Sequence, residues 1–271
     1  MTTETAGPPV TSGTTLDPRA TNPPLTPRWP DGRSVKMIGL GGIGSIAVRL
    51  LALYLASLNR PARLVLIDGD VFEARNAARM SFRSLGNKAA VTRDELLASL
   101  PGSFLTVLAV EEFITPQNID RLIRPGDVVF LAVDNHPTRK LVSDHCGRLD
   151  DVALLSGGNE GVGPDSTGAV RSGTYGNCQV YLRAGGQDRT PPLTAYHPEI
   201  ESPVGPTPGE PDCLEAVAAT PQLLFANMTA ATAMLNSLYL HLCNALPYDE
   251  VVFDIAEGLM RPLKLPVPRR S

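Results

Sequence analysis

Short apolar runs recur through the middle of the chain, each ending in a polar residue or a glycine. SVKMIGL (34–40), RLVLID (63–68), FLTVLAV (104–110), DVVFLAVD (127–134) and VALLSGG (152–158) are such runs. Continuous apolar runs of this length, bounded by turn signals, read as strands buried on both faces. Between them lie segments whose apolar positions have helical spacing: IAVRLLALYLASL, KAAVTRDELLASL, PQNIDRLI and TRKLVSDHCGRL. Strand–helix alternation predicts an α/β fold, a Rossmann-like, mostly parallel sheet flanked by helices. Ligands of such sheets bind beyond the carboxyl ends of the strands. Candidate chemistry therefore falls at or just after Leu40, Asp68, Val110, Asp134 and Ser156.

Two other patterns frame this core. Residues 216–248 contain no Asp, Glu, Lys or Arg. That length would permit a membrane span, but Gln222, Asn227, Asn236, His241 and Asn244 are scattered through it and Pro221 stands near its start. It predicts a buried helix, with small residues suited to close packing at a dimer interface. Proline is clustered: seven of the 25 fall in residues 8–30 and seven more in 191–211. The first cluster predicts a disordered arm over 1–33. The second predicts a long loop over about 188–212, because Pro removes the N–H donor that helix and sheet require. Residues 34–271 read as one domain.

Composition narrows the function classes. A net charge of −4 gives no general drive toward nucleic acid or anionic membranes. The four cysteines, at 146, 178, 213 and 243, form no C-x-x-C pair, which argues against a zinc ribbon or a disulfide scaffold. The start, MTTETAGPPV, lacks the basic and apolar blocks of a signal peptide, so a cytoplasmic protein is expected.

Gly39-Leu40-Gly41-Gly42-Ile43-Gly44 fits G-x-G-x-x-G between a predicted strand and a predicted helix. Glycines admit phosphate to the backbone, and a helix N-terminus offers unpaired N–H groups and partial positive charge. Asp68 ends the second strand, where an acid can accept hydrogen bonds from a ribose. Arg75, Asn76, Arg79, Arg83 and Lys88 follow. A dinucleotide enzyme has no general need of that cluster, whereas ATP attacked by a carboxylate does. Two like unit charges 4 Å apart repel by about 1 kcal/mol in water and about 4 kcal/mol at an effective dielectric near 20. Asn76, Arg79 and Lys88 are the stronger candidates; Arg75 and Arg83 read as surface. Asp134, ending VVFLAV, is placed either to hold Mg²⁺ or to cap the following helix.

The ordered series GLGGIGS, LVLIDGD, N-A-A-R, N-K-A and A-V-D-N-x-x-x-R resembles the ubiquitin-activating-enzyme-like (E1-like) adenylyltransferases, the ThiF/MoeB superfamily. Cys213-Leu214-Glu215-Ala216 with Pro221, and the closing VVFDIAEGLMRPLKL, extend the resemblance to about residues 34–265. It implies a C-terminal antiparallel extension of the sheet and a homodimer. It assigns Gly39, Gly41, Gly42 and Gly44 to the ATP loop and Asp68 to ribose. Asn76, Arg79 and Lys88 would hold the triphosphate, and Asp134 would bind Mg²⁺. The implied reaction is attack by the C-terminal carboxylate of a ubiquitin-like or sulfur-carrier protein, with a Gly-rich tail, on the α-phosphate of ATP. Cys213 would accept the acyl group in a second step, or serve only as a small residue at a helix start. The chain departs from the pattern at Met80, where Gln is usual, and in lacking paired cysteines, so no zinc is expected. No basic N-terminal motif is clear; Arg28 or Arg33 could substitute for it. The competing readings are an NAD-dependent oxidoreductase and a non-catalytic E1-like binding module.

Overall fold

The structure is a computed structural model that describes residues 25–30, 32–72, 84–164, 168, 170–205 and 222–268. In chain order the elements are β1 (Ser34–Ile38), α1 (Gly42–Ser57), β2 (Ala62–Ile67), β3 (Val71–Phe72), β4 (Gly86–Asn87), α2 (Lys88–Ser99), β5 (Leu105–Val110), α3 (Ile119–Leu122), β6 (Val128–Leu131) and α4 (His136–Cys146). Then come β7 (Val152–Asn159), β8 (Val162–Pro164), β9 (Val170–Ser172), β10 (Tyr175–Ala184), β11 (Gln187–Asp188), α5 (Pro198–Glu201), α6 (Leu224–Leu242), β12 (Glu250–Asp254) and β13 (Leu259–Leu263).

The main sheet runs β13-β12-β10-β7-β6-β1-β2-β5, with β11 paired to the end of β10. β5, β2, β1, β6 and β7 are parallel, and β10, β12 and β13 continue the sheet antiparallel. Each parallel strand is one of the predicted apolar runs; helices cover both faces of β1, β2, β6 and β7, while the edge strand β5 leaves Thr106 and Leu108 exposed. β1 and β6 show why: Val35, Met37, Ile38 and every residue of VVFL are buried. One core lies between the sheet and α1, α2 and α6, the other between the sheet and α3, α4 and α5. The connection from β1 to β2 through α1 brings the strand order to its reversal at β1, so the crevice opens beside β1 and β6.

The charge-free stretch forms α6, which packs along α1 and β7. Ala226, Ala230, Ala231 and Ala233 are buried, and Met234 fills the space left by Gly157. Its outer face keeps Phe225 and Met228 exposed, so the helix is buried on one side only. Among the described residues no helix is long and apolar enough to cross a membrane. PQNIDRLI yields a single helical turn, α3, because Pro125 follows closely and disfavours helix in the residue before it.

The first part of the Pro-rich segment is packed rather than open. Thr190 donates its hydroxyl to the Val180 carbonyl, and Leu193 and Ile200 are buried in the α4-side core. Pro198 opens the short α5. At the other end of the chain Trp29 is buried, and the Arg28 N–H donates to the Leu242 carbonyl at the end of α6.

Candidate functional site

The glycine loop joins β1 to α1 at the carboxyl rim. Gly39 has φ of +85°, which an L side chain rarely adopts, and a Cβ there would come within 2.8 Å of the Ala132 carbonyl oxygen. A Cβ on Gly44 would collide with the Gly39 carbonyl. These two glycines therefore serve the fold of the loop. Gly42 serves α6, because a side chain there would overlap the Asn227 amide and approach Gln222. Only at Gly41 would an added Cβ meet no atom within 4 Å, so this is the glycine that leaves space for a ligand. Gly41 is the N-cap of α1 and provides no side-chain cap, so the first N–H groups of the helix point into that space.

Asp68, just past β2, holds the loop in place. Its Oδ2 accepts the Leu40 N–H at 2.6 Å and its Oδ1 accepts the Asp70 N–H at 2.8 Å. The side chain is buried, and burial pushes its pKa above the ordinary value, against the lowering effects of Lys88 and the two N–H groups. Each oxygen keeps a second lone pair, so the acid can still accept from a ribose.

Lys88 opens α2 on the same side. Its Nζ lies 2.7 Å from Asp70 Oδ2, and the residue is 8% exposed. Two N–H donors of the ammonium remain for phosphate oxygens. Asn87 fixes this arrangement. Its Oδ1 caps α2 by accepting the Ala89 and Ala90 N–H groups, while its Nδ2 donates to the Asp68 and Asp70 carbonyls. Asn87 and Asp70 belong to the motifs N-K-A and LVLIDGD, but the sequence gives neither a role of its own.

Asp134 follows β6 on the opposite side of β1. The helix cap at α4 is supplied by Asn135, whose Oδ1 accepts the Thr138 N–H at 2.9 Å. Asp134 is exposed and takes no part in the cap. The turn that carries it is stapled by Arg139, which is buried and donates to Ser156 Oγ (2.5 Å), the Val133 carbonyl (2.7 Å) and the Gly157 carbonyl (2.7 Å). Burial lowers the Arg139 pKa to about 10, and the negative charge of Asp134 partly offsets this. The arginine of A-V-D-N-x-x-x-R thus joins the ends of β6 and β7 and shapes the rim without reaching solvent.

The structure brings together Gly39, Gly41, Gly42, Gly44, Asp68, Lys88 and Asp134 along one rim. Asn76, Arg79 and Cys213 lie outside the described residues. Of the other cysteines, Cys146 and Cys178 are buried, and burial pushes both thiols up to about 12, which makes them inert as nucleophiles. Cys243 is partly buried beside Tyr54 and far along α6 from the rim. Among the described residues no three His, Cys, Asp or Glu side chains are grouped to hold a metal ion.

A glycine loop after the first strand, an acid closing the second and a second acid across β1 stand together on a Rossmann-like sheet with an antiparallel flank. The chain belongs to the ThiF family, whose profile matches residues 31–252. It is 27% identical over 192 residues to the SAMP-activating enzyme E1 of Haloferax volcanii, covering 70% of this chain and 67% of that one. It is 30% identical over 196 residues to the adenylyltransferase and sulfurtransferase MOCS3-1 of Zea mays, covering 69% of this chain but only 38% of the relative. In fold it is similar to E. coli MccB, solved with AMPCPP and MccA, at a TM-score of 0.62 and 17% identity, covering 88% of this chain and 65% of MccB.

Proposed function

We propose that this chain adenylates the C-terminal carboxylate of a ubiquitin-like or sulfur-carrier protein with a Gly-rich tail, using ATP and Mg²⁺. The observation that carries the reading is the order of groups along the rim: Asp68 beyond β2, the open helix N-terminus at Gly41 beyond β1, and the uncommitted Asp134 beyond β6. That order matches ribose, phosphates and cation in one extended nucleotide. The names of the relatives, an E1 activating enzyme and adenylyltransferases, support the same chemistry. MccB has also been solved with ATP.

In this reading Asp68 orients the ribose, and the N–H groups of α1 and the Lys88 ammonium hold the phosphates. Asn76 and Arg79 add donors from the segment before Lys88. Asp134 is the residue that would hold Mg²⁺, which would screen the phosphate charge from the incoming carboxylate. The tail carboxylate attacks the α-phosphorus, and the bond to pyrophosphate breaks. Alignment and charge stabilisation are sufficient for this step, and no protein nucleophile takes part. Cys213 is a candidate acceptor for a later acyl transfer. ATP–pyrophosphate exchange driven by a cognate carrier tests the reading; nucleotide binding without exchange for any such tail would overturn it in favour of a binding module.

Two copies are expected to pair through the outer face of α1 and α6. Leu50, Leu53, Phe225 and Met228 are exposed there, and a cavity of about 230 Å³ lies among Leu50, Tyr54, Leu235, Asn236, Leu238 and Tyr239. Light scattering at micromolar concentration tests this, and a monomeric mass would sink it.

A further inference from the structure

Two side-chain amides at the rim have polar atoms that nothing in the described protein satisfies. Both Oδ1 and Nδ2 of Asn159 are buried without a hydrogen-bond partner, and so is Oδ1 of Asn227. Leaving such atoms unpaired costs a fold as much as a lost hydrogen bond, so each calls for a partner. Their positions follow from the strand and helix that carry them. Gly157 turns its missing side chain toward Met234 of α6, and Gly158 turns toward Arg139 of α4. By strand alternation Asn159, the last residue of β7, faces the α6 side. Asn227, in the second turn of α6, is 3% exposed and packs its amide over Gly42, the first residue of α1. The two amides therefore flank the rim on the same side as the glycine loop.

The strand order sets what they can reach. β2, β1, β6 and β7 are consecutive in the sheet, so Asp68, the glycine loop, Asp134 and Asn159 stand in that sequence along the rim. Neighbouring strands lie about 4.8 Å apart. The carboxylate attacks the α-phosphorus in line with the departing pyrophosphate, so the tail that carries it approaches from outside the nucleotide, and β7, two strands from the glycine loop on the side away from Asp68, is the flank that the ribose leaves open. An extended peptide offers one N–H and one C=O per residue, the complement of a side-chain amide.

We infer that Asn159, with Asn227, binds the main chain of the substrate's C-terminal segment: Asn159 Nδ2 donates to a peptide carbonyl, and the two Oδ1 atoms accept peptide N–H groups. Main-chain reading makes no demand on side chains, and so suits a Gly-rich tail. The inference rests on the adenylation reading and adds which residues recognise the tail.

Calorimetric titration of the full chain with 5′-O-sulfamoyladenosine and with its N-glycylglycyl derivative, a stable mimic of the acyl adenylate, tests it. In the unaltered protein the glycylglycyl group should tighten binding at least about tenfold, the effect of one or two net hydrogen bonds. Asn159→Ala should lose most of that gain while binding sulfamoyladenosine within about twofold of the unaltered chain. Asn159→Asp, equal in size but lacking the donor, should lose a similar share. Full retention of the gain in both variants overturns the inference, as does equal affinity of the unaltered chain for the two compounds. A variant weakened equally toward both compounds has lost structure rather than tail recognition, and that too overturns it. Failure of the unaltered chain to bind either compound would instead remove the adenylation reading, and this inference with it.

Discussion

Asp68 and Asp134 follow strands on either side of β1, yet the fold treats them differently. Asp68 is buried and already accepts two backbone N–H groups, one of them from the glycine loop itself. Asp134 is exposed, and its neighbour Asn135 caps the helix. A carboxylate engaged by the backbone has become part of the loop's geometry, whereas one held beside a stapled turn and excused from capping is the one that the proposed reading gives to the cation. One mutation at each position should therefore separate architecture from chemistry.

The largest expected effect is on the free carboxylate. Asp134→Asn should lower ATP–pyrophosphate exchange by about 1,000-fold, equivalent to roughly 4 kcal/mol of transition-state stabilisation. Its urea midpoint should stay within about 0.5 kcal/mol of the unaltered chain, as for most exposed substitutions. Exchange that survives, or a stability loss of the same size as the activity loss, would erase the distinction between the two acids. Asp68→Ala should behave in the opposite way, losing about 2–3 kcal/mol in urea unfolding because the Leu40 and Asp70 N–H groups lose their acceptors. Asp68→Asn keeps one acceptor of equal reach and should recover part of that loss.

The glycines divide along the same line with a smaller effect. Gly44→Ala drives a methyl group into the Gly39 carbonyl and should cost about 2 kcal/mol, as overpacking commonly does. Gly41→Ala meets no protein atom and should leave stability unchanged while weakening ATP binding several-fold, read by titration with a fluorescent ATP analogue. Equal ATP affinity in Gly41→Ala would place the phosphates elsewhere.

The sequence makes the candidate site groups easier to see than their supports. The parallel strands are legible because they are continuous apolar runs, buried on both faces in β1, β2, β6 and β7, and Gly41, Asp68 and Asp134 stand just beyond their ends, with Lys88 at the start of α2. The partner of each is not legible, since it arrives from a distant segment. Asp68 meets Leu40 across 28 residues, Arg139 meets Gly157 across 18, and Gly42 is small on account of Asn227 in α6. A linear motif fixes a residue type at a strand end and is silent on what crosses the sheet to meet it. The same reasoning missed Asn159, which belongs to no motif and is notable only because its amide is buried without a partner.

The smallest expected effect concerns the Asp134 side of the rim, where α4 and α5 meet. His197 bridges two carboxylates, with Nδ1 2.9 Å from Glu199 Oε1 and Nε2 3.2 Å from Glu250 Oε2. Burial alone would lower its pKa, but the hydrogen bonds and charges of Glu250 and Glu199 outweigh that and raise it above the usual 6.5. His136, at the start of α4, moves the other way through burial and the nearby Arg139, though Glu199 opposes this. A histidine whose folded pKa exceeds its unfolded value stabilises the fold fully below about pH 6.5, and that contribution fades as pH rises through the folded value. His197→Gln keeps a polar side chain without the charge. It should cost less than about 1 kcal/mol at pH 5.5, and the difference from the unaltered chain should shrink by pH 9. Thermal melts at the two pH values measure it. A difference that grows with pH would mean that His197 is held neutral, and that the foot of the Pro-rich segment is fixed by the packing of Leu193 and Ile200 rather than by charge.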